Sequence, residues 1–201
     1  KNTLPAISWA MQRIRTLYSS ATAVVFPSDH ILGESALDQI RASEPLARKY
    51  LVTFGIKPTS PHTGYGYIKQ GKALTKGAIV DEFKEKPGET TAKEYVRRGY
   101  LWNSGIFLLS TDIFFQELKK YSPDLFDAFA EGHDADYRKL ESISIDYGLL
   151  EHSKKVSVVT LETEWNDLGT FKALYDSEVH DSEGNVGIAE YFSATNNFVQ
   201  A

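Results

Sequence analysis

The chain has 201 residues, 42% apolar and 24% charged, enough for one domain with a packed core and too apolar for wholesale disorder. Acidic side chains outnumber basic ones 27 to 22, and the net charge of −5 argues against the basic faces that nucleic acid or an anionic membrane requires. There is no Cys, which excludes disulfides, thiolate metal sites and a cysteine nucleophile; no apolar run approaches a membrane span, and a soluble, cytoplasmic protein is expected.

Apolar residues at Ile7, Met11, Ile14 and Leu17 recur with helical spacing, and Pro5 behind Thr3 favours a first turn, so residues 5–17 are expected as a helix. Residues 21–26 (ATAVVF) form a β-branched apolar run that stops at Pro27, Ser28 and Asp29, the mark of a buried strand with polar groups at its carboxyl end. Residues 35–50 read as helix, broken near Pro45, and residues 51–56 (LVTFGI) as a second strand. Residues 65–69 and 78–83 read as a strand pair, 91–98 as a short helix and 105–109 as an apolar strand. Thr111 is expected to cap a helix running to Tyr121. Helix over 144–153, strand over 156–160 and helix over 170–176 complete the pattern. Strands alternating with helices imply an α/β layered fold with a mostly parallel, mixed sheet. Composition turns polar and Gly-bearing after Asp176, which suggests one domain over 1–177. A linker and the start of a β segment (TNNFVQA) then occupy 178–201.

Ligands of open α/β sheets sit beyond the carboxyl ends of strands, and several such ends are polar here. Asp29 follows AVVFPS, and Asp167 lies in WNDLG between the strand near Val158 and a helix. Two such carboxylates suit one Mg²⁺, which takes one or two carboxylates and fills its shell with water and phosphates; helix capping explains Asp167 equally well. Glu85 and Lys86, in FKEKP, put a carboxylate beside an ammonium, apt for sugar hydroxyls and a phosphate, or simply a solvated strand end. Asn103, in WNSG, suits a hydroxyl-rich ligand or an ordinary turn. The spacing from Gly66 to Lys72 imitates a phosphate-binding P-loop, but Ala73 replaces the required Ser or Thr and the stretch reads as strand. No histidine spacing supports zinc, and no Gly-x-Ser-x-Gly elbow occurs.

The order KNTLPAI, VVFPSDH, LVTFGIKPTSPHTGYGYI, FKEKP, YLWNSGIF, SIDYGLLE and WNDLG resembles mannose-1-phosphate guanylyltransferases of the microbial type, within the sugar-nucleotide pyrophosphorylase family. The likeness covers residues 1 to about 176. It implies a Rossmann-like nucleotidyltransferase fold and the conversion of mannose 1-phosphate and GTP into GDP-mannose and pyrophosphate. The sugar phosphate would attack the α-phosphorus directly, aided by Mg²⁺. By the same resemblance Asp29 and Asp167 are Mg²⁺ ligands and Lys86 meets the mannose phosphate. Glu85, Asn103, Asp146 of SIDY and the backbone of Gly66 line the sugar site, with helix capping an equal explanation of Asp146. Asn2 and Thr3 lie near the nucleotide base.

One family feature is missing: the Gly-rich loop that follows the first family strand and wraps the triphosphate. The resemblance therefore implies a portion of a longer protein, its sheet short of one strand. TNNFVQA resembles the beginning of a C-terminal β-helical segment that often mediates dimer contacts, so a homodimer is expected. Two alternatives stay open: a non-catalytic sugar-phosphate-binding or regulatory homologue, and a pyrophosphorylase for another sugar or nucleotide.

Overall fold

Eight strands and seven α-helices form in the computed structural model, which describes residues 2–130 and 137–199. The chain divides into two packing units, one comprising Lys1–Pro27 and Ser35–Glu162, the other Ser28–Glu34 and Thr163–Ala201.

In the first unit, α1 (Thr3–Leu17) buries Leu4, Ile7 and Met11, the stripe its spacing predicts. Strands β1 (Thr22–Val25), β3 (Leu51–Ile56), β4 (Tyr67–Ala73), β5 (Ala78–Lys84), β6 (Leu101–Ser110) and β7 (Val156–Thr160) make one sheet in the order β1-β6-β3-β7-β5-β4. Helices α2 (Ser35–Arg41), α3 (Glu44–Ala47), α4 (Glu89–Arg97), α5 (Thr111–Tyr121) and α6 (Pro123–Ala130) join them. Phe114 and Leu118 of α5 and Leu125 and Phe129 of α6 meet the α1 stripe and the sheet residues Leu51, Phe107 and Leu109 in one core. No described helix is long and apolar enough to cross a membrane.

The sheet is mixed, as expected, but mostly antiparallel rather than mostly parallel. Only β3 and β7 pair in parallel; β1–β6, β3–β6, β4–β5, β4–β6 and β5–β7 are antiparallel. Alternating strands and helices misled because α4 leads from β5 to β6, parallel strands that are not neighbours, and β4 lies between them antiparallel to both. β1 also departs from expectation. It is an edge strand whose residues alternate between exposed and half-buried, because only β6 pairs with it.

Other boundaries moved for local reasons. Ser110, not Thr111, caps α5, accepting from the Ile113 N–H at 3.3 Å, while Thr111 is buried in the first turn. The helix expected over 144–153 shrinks to one π-turn, Asp146–Leu150, in which Glu151 N–H donates to Asp146 O. β6 begins four residues before its apolar run and takes in the whole of WNSG, which is strand rather than turn.

That extension shapes the site. Thr53 of β3 faces Phe107 of β6, yet Gly55, two residues on, faces Asn103, four residues back. β6 thus carries two extra residues, a bulge in which Gly105 has φ 71° and Ser104 Oγ donates to Phe54 O at 2.7 Å. On its other edge β6 pairs with β1 through residues 107–110 and with β4 through Leu101 and Trp102, so Asn103 sits where the partner changes.

The second unit holds a two-stranded ladder, β2 (Ile31–Leu32) against β8 (Trp165–Asn166), then α7 (Phe171–Ser177). Towards the C-terminus, Val186 and Phe198 form an isolated parallel bridge, short of the strand expected from TNNFVQA, whose Gln200 and Ala201 lie outside the described residues.

Candidate functional site

Five of the residues singled out from sequence converge in the first unit. Gly66 precedes β4, Glu85 and Lys86 follow β5, Asn103 lies on the bulged β6, and Asp146 opens the π-turn. Gly66 O accepts from the Asn103 N–H at 2.8 Å, and Tyr65 O accepts from the Lys86 N–H at 3.2 Å, lacing the three segments together. Asn103 Nδ2 donates to Asp146 Oδ1 at 3.0 Å. Asp146 therefore belongs to this cluster, and it is Ser144 Oγ that accepts from the Tyr147 N–H at 3.3 Å at the start of the π-turn.

Glu85 is the centre of the group. Its side chain is only 12% exposed, so the solvated strand end is excluded, and its Oε2 is buried without a hydrogen-bond partner. A Cβ built on Gly66 would collide with that oxygen, which is the reason a glycine stands there. The other oxygen lies 3.7 Å from Lys86 Nζ, and the Glu85 N–H donates to Glu151 Oε1 at 3.2 Å. Burial first, then the charge of Asp146, pushes the Glu85 carboxyl up from 4.5 to about 7; Lys86 opposes the shift and Glu151 adds to it. Asp146 is likewise raised, chiefly by burial, with hydrogen bonds from its own backbone and from Asn103 opposing. Lys86 keeps a largely exposed ammonium and a left-handed backbone at φ 47°, and Pro87 follows it. One wall is aromatic: His62 stacks on Tyr65 at 4.1 Å, and Tyr65 meets the Trp102 ring edge at 4.9 Å.

Asp29 and Asp167 both lie in the second unit, where the β2–β8 ladder brings their segments side by side. Both carboxylates act on the His30 imidazole, raising its proton affinity against the larger lowering effect of burial. Trp165 Nε1 donates to His30 Nδ1 at 3.2 Å, which suits a neutral ring. The helix-capping explanation of Asp167 is excluded, because Thr170 caps α7, accepting from the Ala173 N–H at 3.0 Å. Asp167 instead stands in a tight turn: Asn166 Oδ1 accepts from Leu168 N–H, Asp167 Oδ1 from Gly169 N–H, and Leu168 has φ 48°. Two carboxylates of this kind are hard oxygen donors that fit Mg²⁺. Among the described residues no cluster of three or more His, Asp or Glu side chains offers a closed metal centre.

Asn2 and Thr3 have structural partners. Asn2 Oδ1 caps α1 by accepting from the Thr3 N–H, and Thr3 Oγ1 accepts from the Ile145 N–H at 2.9 Å, beside Asp146.

The comparisons with known proteins show the family. Residues 1–184 match the family described as Nucleotidyl transferase. The chain belongs to that family. Its similar relatives include the xanthan biosynthesis protein XanB of Xanthomonas campestris pv. campestris (strain B100), 39% identical over 92% of this chain and 43% of the relative. A mannose-1-phosphate guanylyltransferase of Escherichia coli is 35% identical over 92% of this chain and 45% of that protein. A crystal structure from Thermus thermophilus, described as a mannose-1-phosphate geranyltransferase, superposes with a TM-score of 0.84 at 30% identity. It covers 92% of this chain and 57% of that one. The nucleotidyltransferase chain thus spans less than half the length of these sequence relatives.

Sequence reasoning passed over Thr53, Glu151 and His30. Each left a trace: a lone polar residue in LVTFGI, the acid closing SIDYGLLE, and the imidazole next to Asp29.

The raised Glu85 carboxyl has a consequence for stability. In the folded chain it keeps its proton between pH 4.5 and about 7, where an exposed glutamate has released it. The stability tied to this group is therefore complete at low pH and is lost as pH rises through that window, by at most about 1.4 kcal/mol per pH unit. Glu85→Gln removes the ionisation, so denaturant unfolding should show the variant gaining on the wild type from pH 5 to pH 8. A difference that stays constant over that range would contradict the assignment.

Proposed function

We propose that this chain is the nucleotidyltransferase portion of an enzyme that transfers GMP from GTP to mannose 1-phosphate, giving GDP-mannose and pyrophosphate. The observation that carries the reading is the buried, unpartnered Oε2 of Glu85, a carboxyl that feels the charge of Asp146 and whose other oxygen lies 3.7 Å from the Lys86 ammonium. A bare carboxylate oxygen in a half-buried site is costly unless a ligand donates to it, and sugar hydroxyls are such donors. Lys86, as an exposed point charge at the rim, is suited to the phosphate of the same sugar. Relatives named mannose-1-phosphate guanylyltransferase at 34–35% identity support mannose and GTP as the pair.

In the proposed reaction a phosphate oxygen of mannose 1-phosphate forms a bond to the α-phosphorus of GTP. The bond from that phosphorus to the α,β-bridging oxygen breaks, and pyrophosphate leaves. Little covalent work falls to the protein; its task is in-line positioning and charge neutralisation. Glu85, Asp146 and Asn103 hold the sugar, and Lys86 lowers the repulsion between two anionic reactants. Asp29 and Asp167 would hold Mg²⁺, which when bound neutralises phosphate charge. Asn2 and Thr3 are assigned to the neighbourhood of the base.

Two variants test these roles in the full chain. Lys86→Ala should raise KM for mannose 1-phosphate about tenfold and also lower kcat, because its charge is felt in both ground and transition state. Unchanged kinetics would remove Lys86 from the site. Asp167→Asn should cut Mg²⁺-dependent turnover about a hundredfold or more without altering the thermal midpoint; full activity at ordinary Mg²⁺ would rule out the metal role. Running GTP beside ATP, UTP and dTTP checks the base.

A further inference from the structure

The amide of Asn103 is useful to a sugar only if its NH₂ end faces the ligand site, and an asparagine amide has two orientations of nearly identical shape. Three contacts bear on the choice. Asn103 Oδ1 accepts from Thr53 Oγ1 at 2.9 Å and lies 3.4 Å from the Gly105 N–H. Asn103 Nδ2 donates one proton to Asp146 Oδ1 at 3.0 Å. A single proton of the NH₂ group is left for a ligand.

Thr53 is fully buried, and its side chain is the only polar one in β3. A hydroxyl has one proton to give, and its other acceptor, Ile106 O, stands farther off at 3.5 Å. The two-residue bulge of β6 brings Asn103 over Thr53 despite the register that pairs Thr53 with Phe107. A buried threonine in an apolar strand, met by a bulge on the facing strand, is an arrangement beyond what packing alone needs.

We propose that Thr53 is a positioning residue that holds the Asn103 amide with its NH₂ group towards Asp146 and the sugar, so that it governs affinity for the sugar phosphate without touching it. The proposal rests on the sugar-site reading above. Without the Thr53 hydroxyl, Asn103 Oδ1 keeps only the longer 3.4 Å contact with the Gly105 N–H, so the amide is held less firmly and its donor is misplaced for part of the population.

The test is a kinetic comparison in the full chain, with mannose 1-phosphate and GTP varied separately. Thr53→Val, close in shape and lacking the donor, should raise KM for mannose 1-phosphate about tenfold while KM for GTP stays within about twofold. Thr53→Ser should restore the wild-type value. In an Asn103→Ala background Thr53→Val should cost nothing more, because the group it positions is gone. Wild-type kinetics for Thr53→Val, an equal rise in both KM values, or full additivity with Asn103→Ala would overturn the proposal. Should Thr53→Val not fold, Thr53→Ala removes the hydroxyl without adding bulk and carries the same expectations. The ¹⁵N signal of the Asn103 side chain reads the lock without substrate: Thr53→Val should broaden or shift it, and an unmoved signal would overturn the lock. If that signal moves while the wild type binds no mannose 1-phosphate, the lock stands and the sugar reading fails.

Discussion

A carboxylate withdrawn from water with one oxygen left bare is the constraint around which the first unit is arranged. Glu85 meets the costs of burial and of a like charge from Asp146, and only Lys86 opposes them. The neighbourhood closes over that oxygen without giving it a partner. Gly66 contributes no Cβ that would fill the space, and Glu151 holds the Glu85 backbone by its N–H rather than touching the bare oxygen. Asn103 spends one amide proton on Asp146 and keeps the other. Proteins that bury a polar group normally pair it, so this orphan acceptor marks a place kept for something else.

Of the four described non-glycine residues with positive φ, two flank assigned carboxylates. Lys86 and Leu168 both adopt left-handed backbone conformations that cost a residue with a side chain about 1–2 kcal/mol. Each is adjacent to a carboxylate with an assigned role, Glu85 in one case and Asp167 in the other. At Lys86 the Tyr65 carbonyl holds the turn, and at Leu168 the Asn166 side chain does so. These turns are held by hydrogen bonds from the fold and aim a side chain that ordinary strand or helix geometry would point elsewhere.

Much of this was legible in the sequence because the apolar runs are strong. LVTFGI became β3 residue for residue, and residues 5–17 gave α1 to within two positions of its start. What failed was reasoning from neighbours that chain order does not reveal. β1 looked buried from AVVF, yet pairing on one side alone leaves it half exposed. A mostly parallel sheet was inferred from alternation, and antiparallel pairing followed from where β5 and β6 dock. WNSG looked like a turn because Asn, Ser and Gly are turn residues; here they build a bulge. At the site, residue types that bear charge were found, while Thr53 and Glu151 were missed because their importance lies in which neighbour each one orients.

The claim that Glu85 awaits a sugar is tested most directly by its own titration. With ¹³C-labelled glutamate the carboxyl resonance of Glu85 can be followed against pH in the free chain and with saturating mannose 1-phosphate. The account predicts a midpoint near 7 in the free chain and a clear fall when the sugar hydroxyls donate to the ionised form. A midpoint that stays where it was with the ligand bound would contradict it.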